Sequence, residues 1–245
     1  MADKKLLLAG PSCVIPGSIP ENVSALEGLV SEVGLTFFNT RDCLNYTRKD
    51  LPDSLAENNL RYHIHLPLDL NWSTGAGKAA EDVFRLVDKA SFLRPDKFVL
   101  HPPEKVDDLQ EFSRLWIKQG LDPAMLLLEN IRTSDLSDIW QIIQDAGLGV
   151  CLDVGHILAY DQYQLLKREN LWDRVSLVHV YGREDHRGHS GLGVISDSGK
   201  KILKQILMEI NPQTTLLLEV FSWQDFLDSR NILIQMADSW GLELV

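Results

Sequence analysis

The feature of this sequence that most constrains its fold is a series of eight short apolar segments, each followed by a helical pattern. The segments are continuously apolar and bounded by Gly, Pro or charged residues, as is typical of strands buried on both faces. The predicted strands are Lys5–Ala9, Leu35–Asn39, Arg61–His65, Lys97–His101, Met125–Glu129, Leu148–Asp153, Val175–Val180 and Thr214–Val220. Eight such units in 245 residues predict a single (β/α)8 TIM barrel, an α/β fold, as one domain over residues 1–245.

Apolar residues recur at spacings of three and four between these strands, which predicts amphipathic helices. The predicted helices are Glu21–Val33, Asp50–Asn59, Gly77–Leu93, Lys105–Gln119, Leu136–Ala146, Tyr160–Asn170, Asp197–Ile210 and Trp223–Trp240. A doubly wound open sheet is the alternative fold. It usually carries a G-x-G-x-x-G loop after its first strand, whereas the first strand here is followed by GPSCVIPG.

Residues that commonly bind metals stand where the predicted strands end. They are His65, His101, Glu129, Asp153, His156, His179 and Glu219. One such histidine alone is more often a hydrogen-bonded loop residue, and we interpret His63 as a buried, satisfied histidine. Seven ligand-type residues on one rim of a parallel barrel instead predict a multinuclear metal site. Imidazole and carboxylate ligands suit zinc best, with manganese or iron as alternatives, and we expect two or three ions.

The composition of the sequence indicates which cellular compartment and which binding partners to expect. The net charge of -11 disfavours nonspecific binding to nucleic acid. No apolar run approaches the ~20 residues of a membrane helix, and the first apolar run stops at Gly10, too early for a secretory signal. Cys13, Cys43 and Cys151 are odd in number and widely spaced, so we expect reduced thiols. These features predict a cytoplasmic chain without a membrane or nucleic-acid partner and leave its oligomeric state open.

The order of the ligand residues, His, His, Glu, Asp-x-x-His, His and Glu, resembles that of the xylose-isomerase-like TIM barrels, and among them the type-2 apurinic-site endonucleases. The resemblance implies that Glu129 bridges two metals. The first would be held by His65 and His101, and the second by Asp153, His179 and Glu219. It also implies that Glu129, Asp153 and Glu219 are the catalytic carboxylates.

The resemblance further implies a third metal, held by His156 and by an Asp-x-His motif after strand seven. The sequence departs from that motif, since Asp185 and His186 are adjacent. The form H-x-x-L-G favours His189 as the matching histidine, but Arg187 occupies the position two residues before it. We therefore expect this site to be empty, weak, or filled through His189 or His186 with Asp185.

Five longer segments of the sequence show a more specific resemblance than the order of the ligand residues does. PSCVIPGSIPENV, VGLTFFN, YHIHLPLDL, CLDVGH and HVYG resemble the cobamide-remodelling hydrolases known as CbiR. One departure is Asn39, which stands where many members of that family have a glutamate. The resemblance implies a hydrolase that cuts the phosphoester link in the nucleotide loop of cobamides, the vitamin B12 class, and releases the lower-ligand riboside.

Aromatic residues near the predicted rim could pack against such a macrocycle, and Trp72 and Tyr181 are the strongest candidates for binding it. Arg41, Arg132 and Arg183 could contact a phosphate or be solvated loop charges. The main alternative function is a sugar-phosphate isomerase or epimerase that uses Glu129 and Glu219 as acid and base around one metal. A non-catalytic cobamide-binding or metal-storage protein is a third, weaker interpretation.

Overall fold

Eight parallel strands close into a barrel in the computed structural model, which describes residues 4–186 and 188–245. The strands are β1 (Lys4–Pro11), β2 (Glu32–Thr36), β3 (Arg61–His65), β4 (Phe98–Leu100), β5 (Leu126–Glu129), β6 (Gly149–Asp153), β7 (Val175–Val180), β8 (Arg183–Asp185), β9 (Gly188–Ser190), β10 (Thr215–Leu218) and β11 (Leu242–Leu244). Strands β1 to β7 and β10 pair in chain order, and β10 pairs with β1 to close the ring. The predicted TIM barrel is confirmed.

Helices surround the barrel and cover its apolar outer face. They are α1 (Ile19–Leu26), α2 (Thr40–Leu44), α3 (Ala76–Ala90), α4 (Val106–Lys118), α5 (Trp140–Ala146), α6 (Val154–Ala159), α7 (Asp197–Glu209) and α8 (Trp223–Ser239). Within the described residues, none of these helices is long and apolar enough to cross a membrane. The three cysteines are free thiols, as expected.

Three helix predictions were wrong in extent. The predicted helix Glu21–Val33 ends at Leu26, because Gly28 takes the left-handed conformation (φ 75°) and the chain then enters β2 three residues earlier than predicted. Only a short 3-10 turn, Asp53–Ala56, forms within the predicted helix Asp50–Asn59, directly after a proline.

The predicted helix Tyr160–Asn170 is likewise reduced to a 3-10 turn, Leu165–Lys167. Asp161 and Asn170 have positive φ angles (54° and 60°), and such residues interrupt a right-handed helix. The helical residues in this region come earlier, in α6, whose first turn is capped by the Asp153 side chain.

Side chains inside the barrel form layers, because alternate residues of a strand point to the same side. The middle layer is a separate apolar cluster of Ala9, Val99, Leu127, Cys151, Leu177 and Leu217. Two residues further along five of these strands stand the candidate ligands His101, Glu129, Asp153, His179 and Glu219. The apolar layer therefore closes the barrel directly beneath them.

A buried charged cluster fills the barrel on the opposite side of this apolar layer. The Glu32 carboxylate accepts hydrogen bonds from His63 Nδ1 and from Thr215 Oγ1, the latter at 2.8 Å, and lies 3.1 Å from Lys97 Nζ. His63 is thus buried as predicted and paired through Nδ1, but it is not fully satisfied, because its Nε2 has no hydrogen-bond partner among the described residues. Burial alone would raise the pKa of Glu32, but His63 and Lys97 hold it at about 2.

This cluster should make stability depend on Lys97. We expect Lys97→Met to lower the free energy of unfolding by about 3 kcal/mol, because the Glu32 carboxylate would stay buried without its cation. The pKa of Glu32 in the folded protein lies below its ordinary value, so its stabilising contribution is present above about pH 4 and is lost as the pH falls toward 2.

Urea unfolding at pH 7 and at pH 3 measures both effects. Lys200→Met is the control, because Lys200 forms an exposed pair with Asp197 that should contribute little. Equal losses in the two variants at pH 7 would contradict this prediction.

Candidate metal centre

The predicted ligands meet at the carboxyl ends of the barrel strands. With Glu184, which was not predicted, their donor atoms form three main groups, within each of which the atoms lie no more than 4.8 Å apart. The groups are His65, His101 and Glu129; Glu129, Asp153, His179 and Glu219; and His156, Glu184 and His189. A fourth group, Glu129, Cys151 and His179, overlaps the second. Glu129 belongs to the first two groups, which is the position that a bridging carboxylate would occupy.

The first group is built around one oxygen of Glu129. Nε2 of His65 and Nε2 of His101 each lie 3.1 Å from Glu129 Oε2. His65 is the last residue of β3, and His101 directly follows β4. Glu129, at the end of β5, is almost completely buried.

The second group lies on the other oxygen of Glu129. His179 Nδ1 is 3.0 Å from Glu129 Oε1, 3.4 Å from Glu219 Oε2 and 3.8 Å from Asp153 Oδ2. Asp153 and His179 are direct neighbours in the register of β6 and β7. The thiol of Cys151 lies against Glu129 and His179, and burial raises its pKa to about 12 in the metal-free protein.

The third group differs from the expectation. Nε2 of His156 lies 3.3 Å from Glu184 Oε2, and His189 completes the group. Glu184 on β8 stands directly opposite His189 on β9, so the antiparallel hairpin presents both side chains together. His186 is exposed and Asp185 is not in the group, while Arg187 lies outside the described residues. Glu184, rather than the Asp185 named in the sequence-based expectation, therefore lies with His156 and His189, and a metal at this site stays a prediction.

Three of these histidines are oriented by hydrogen bonds that fix their tautomer. Nδ1 of His65 donates to the carbonyl of Leu66, Nδ1 of His156 to that of Asn130, and Nδ1 of His189 to that of Glu219, at 2.9, 2.8 and 2.9 Å. In a neutral imidazole the other nitrogen, Nε2, then carries only a lone pair.

For His65 and His156, Nε2 faces a carboxylate oxygen at 3.1 and 3.3 Å, so either a proton on the ring or a metal ion must lie between the two atoms. This arrangement is typical of metal-bound histidines, whose second nitrogen is held by a protein acceptor. Asp153 Oδ2 and Glu184 Oε2 are buried carboxylate oxygens that have no hydrogen-bond partner within residues 4–186 and 188–245. The residues present therefore fit bound divalent metal ions.

The pKa shifts show the same attraction for positive charge. Burial would raise the pKa of Glu129 and Glu219, but His179 and the other histidines hold Glu129 well below its usual range and Glu219 at about 2. Asp153 behaves oppositely, since burial raises its pKa to about 8 despite His156 beside it. Burial opposes protonation of His179, yet nearby groups, including Glu219 and Glu129, raise its pKa well above the ordinary value.

Asn130 was missed by the sequence analysis and holds the second and third groups in place. Its side chain accepts from the Asp153 backbone N–H at 2.7 Å and donates to the Asp153 carbonyl at 3.0 Å. The backbone carbonyl of Asn130 accepts a hydrogen bond from His156 Nδ1. The sequence signal for this role was the position of Asn130 directly after Glu129, because a side-chain amide at the end of a strand is well placed to form hydrogen bonds with the neighbouring strand.

The two aromatic residues predicted to bind a macrocycle occupy different environments. Trp72 is half-buried, packs on Phe112 and lines a 680 Å³ groove that also includes His101. Tyr181 is fully buried, so it cannot offer a face to a large ligand. Its ring instead stacks on His189, with centroids 3.8 Å apart. A Cβ at position 155 would lie 2.0 Å from that ring, so Gly155 is required for this packing.

A cavity of 260 Å³ opens over the three groups. Its walls include Phe37, Phe38, His65, His101, Glu129, His156, Glu184, His189, Glu219 and Phe221. On the side of α6 and β8, a separate groove of 570 Å³ contains Arg132 and Arg183. Arg132 lies over the ring of Tyr160 and Arg183 pairs with Asp185, whereas Arg41 is exposed on α2 and lines neither space.

The sequence matches no known family profile, and it matches no curated protein. Solved structures share its fold. A D-tagatose 3-epimerase-like protein is 19% identical over 96% of this chain and 98% of its own, with a TM-score of 0.68. The IolI protein with a bound zinc atom is 17% identical over 96% of both chains, with a TM-score of 0.67.

A sugar phosphate isomerase/epimerase from Parabacteroides distasonis is 16% identical, with a TM-score of 0.64, over 98% of this chain and 96% of its own. At these identities the likeness shows the fold alone, a (β/α)8 barrel. It does not identify the cobamide hydrolases in particular.

The third group gives a direct prediction about metal content. We expect Glu184→Gln to lower the zinc bound by the purified protein by about one ion per chain, because an amide is a much weaker ligand than a carboxylate. Elemental analysis after dialysis measures this. The matched control is Asp185→Asn on the same strand, which should keep the full metal content. Loss of an ion from the control rather than from Glu184→Gln would restore the original expectation.

Metal affinity should also depend on pH. Because the pKa of Asp153 is raised to about 8, this residue is protonated at neutral pH in metal-free protein, and an incoming cation must displace the proton. Zinc affinity should therefore rise with pH by about tenfold per pH unit for each proton displaced, and His179, whose pKa is also raised, must lose its proton as well. Competition with a chromophoric chelator from pH 6 to 9 measures the slope. Asp153→Asn should make the slope shallower by about one proton below pH 8, and an equally steep slope in this variant would assign that proton elsewhere.

Proposed function

We propose that this protein is a metal-dependent hydrolase of a phosphoester bond and that its substrate is a cobamide, cleaved in the nucleotide loop. The observation that carries the proposal is the orientation of the histidines. With Nδ1 held by a backbone carbonyl, Nε2 of His65 and of His156 faces a carboxylate oxygen in each of two separate groups, and Glu129 joins the first group to a second. A centre of two or three adjacent ions suits phosphoester hydrolysis better than it suits single-metal chemistry.

The residues have distinct tasks in such a reaction. Both oxygens of Glu129 are engaged by histidines, so this residue holds the centre together and is not a free base. Asp153 Oδ1 accepts from the backbone N–H of His156 at 2.6 Å, which turns its partnerless Oδ2 toward the second group. Bound metal ions would make a water nucleophilic and balance the charge of the phosphoryl oxygens.

The overall reaction balances with water as the only co-reactant. The water oxygen bonds to phosphorus, the bond between phosphorus and the riboside oxygen breaks, and that oxygen receives a proton. The products are a riboside and a corrinoid that keeps the phosphate. The apolar layer beneath the ligands excludes water from below, so the cavity is the route by which substrate and water arrive.

Support for the cobamide comes from the segment resemblance to the cobamide-remodelling hydrolases and from the exposed apolar residues at the cavity mouth. The net charge of -11 disfavours DNA as the substrate. Localisation in the cytoplasm, where cobamides are remodelled, belongs to the same proposal.

A sugar or sugar-phosphate isomerase or epimerase is the second candidate. The structural comparisons favour it over the cobamide hydrolase, since their names include a D-tagatose 3-epimerase-like protein, a D-allulose 3-epimerase and a sugar phosphate isomerase/epimerase. In that reaction Glu129 and Glu219 would act as acid and base beside one metal. The geometry is less favourable to it, because His65 and His101 already engage one oxygen of Glu129.

Cobamide cleavage is the decisive measurement. Metal-loaded protein incubated with a cobamide, with the cobalt oxidised or reduced, should release a riboside that chromatography separates from the corrinoid. Glu129→Gln should lower the rate by at least about 100-fold and lower the metal content while the barrel still folds, because the shared ligand is lost. Glu169→Gln, which changes an exposed carboxylate, is the control and should match the wild type.

The two candidates give different results in parallel assays. Epimerisation of a ketose or its phosphate, with no cobamide cleaved in either cobalt state, would establish the second candidate. A fully active Glu129→Gln enzyme with its complete set of metals would show that another residue bridges the ions.

A further inference from the structure

Three large apolar side chains are exposed around the mouth of the cavity. Phe38, Leu68 and Phe221 are 48%, 54% and 41% exposed, and all three line the space above the candidate ligands. We call them the apolar shelf. Other exposed apolar side chains, such as Ile117 and Met208, lie on the outer helices α4 and α7. Apolar groups concentrated at a polar site indicate a ligand surface rather than scattered surface residues.

The loops that carry Phe38 and Leu68 are fixed to each other by Asp69. Asp69 Oδ1 accepts from the backbone N–H and from the hydroxyl of Thr40, each at 2.7 Å, and Oδ2 accepts from Asn39 Nδ2 at 2.8 Å. Asn39 Oδ1 in turn accepts from the first turn of α2. Phe38 precedes Asn39 and Leu68 precedes Asp69, so this clamp sets the spacing of two shelf residues before any ligand arrives.

Phe221 is positioned from the other side of the cavity. Its ring stacks on His189 with centroids 5.4 Å apart, and it meets the edge of Phe38 at 6.1 Å. The shelf therefore extends from the loop after β2 to the loop after β10 and ends at a histidine of the third group. A ligand that lies on the shelf places its adjoining polar part over the candidate ligands.

We propose that the apolar shelf binds the corrin macrocycle of the substrate, that Phe38, Leu68 and Phe221 determine specificity for it, and that Asp69 is a positioning residue. This inference rests on the proposed function. A macrocycle offers a broad, weakly charged surface that three separated apolar side chains can cover, whereas a monosaccharide is small and its hydroxyl groups would be left unpaired against them. The shelf thus names the residues that would favour a macrocycle over a sugar.

Binding of cobinamide, a corrin that lacks the nucleotide loop, tests the shelf apart from catalysis. Equilibrium dialysis with metal-loaded protein should show binding that Phe38→Ser and Leu68→Ser each weaken by about tenfold, because a large apolar contact is replaced by a small polar one. Phe221→Ser is interpreted only together with its metal content, since Phe221 touches His189. Met208→Ser, at an equally exposed apolar residue on α7, should bind like the wild type.

The positioning role of Asp69 has its own readout. Asp69→Ala should raise KM for cobamide cleavage severalfold with kcat and metal content unchanged, because the two loops lose their common anchor. A lower kcat with KM unchanged would overturn this role.

The outcomes separate the inference from the proposed function. Equal cobinamide binding by the wild type and both serine variants, or no binding by the wild type, would overturn the shelf even if cobamides are cleaved. Shelf-dependent binding of cobinamide without any cleavage of cobamides would support the shelf and refute the hydrolase.

Discussion

Burial of the Glu129 carboxylate is the constraint on which the rest of the site depends. An isolated carboxylate inside a barrel would be strongly destabilising, and its charge must be balanced by groups that reach it from several strands. Three histidines from β3, β7 and the end of β4 converge on its two oxygens. This convergence requires that the strands keep one register, since a shift of a single residue would turn a ligand out of the barrel.

Layers of side chains inside the barrel keep the strands in this register. A strand alternates its side chains, so the positions of Val99, Leu127, Cys151, Leu177 and Leu217 in the apolar layer also fix the ligands two residues beyond them. The same alternation places Lys97 and Thr215 two residues before that layer, where they pair with Glu32. One periodicity therefore produces a stabilising ion cluster, an apolar seal and a ligand layer in sequence along the barrel.

The barrel strands and most of the candidate ligands could be predicted from the sequence. Short apolar runs that end in His, Glu or Asp indicate both where a strand lies and which residue stands at its carboxyl end. The fold and the ligand residues of the first two groups follow from that pattern, whereas the division into two groups that share Glu129 was implied by the resemblance to the xylose-isomerase-like barrels. Glu184 could not be found in this way, since it reaches its group through the hairpin of β8 and β9, and its approach to His189 depends on the pairing register.

The environment of Tyr181 was misjudged for a related reason. The close approach allowed by Gly155 buries the Tyr181 ring, and patterns in a single sequence do not show such packing. The start of β2 was misplaced because Glu32 was read as helical, although it is neutralised inside the barrel.

Asn39, where the sequence departs from the cobamide-remodelling hydrolases, helps to position the loops at the mouth of the cavity. A glutamate at this position would place a second carboxylate against Asp69 and lose the amide donor that bonds it. With Asn39 in place, the loops after β2 and β3 form one rigid edge bearing Phe38 and Leu68, while Phe221 is held by the stack of His189 on Tyr181. The residues that hold the third group therefore also support part of the apolar shelf. A change in the hairpin of β8 and β9 should thus alter both the metal content and the binding of cobinamide, whereas a change at Asp69 should alter the binding of cobinamide alone.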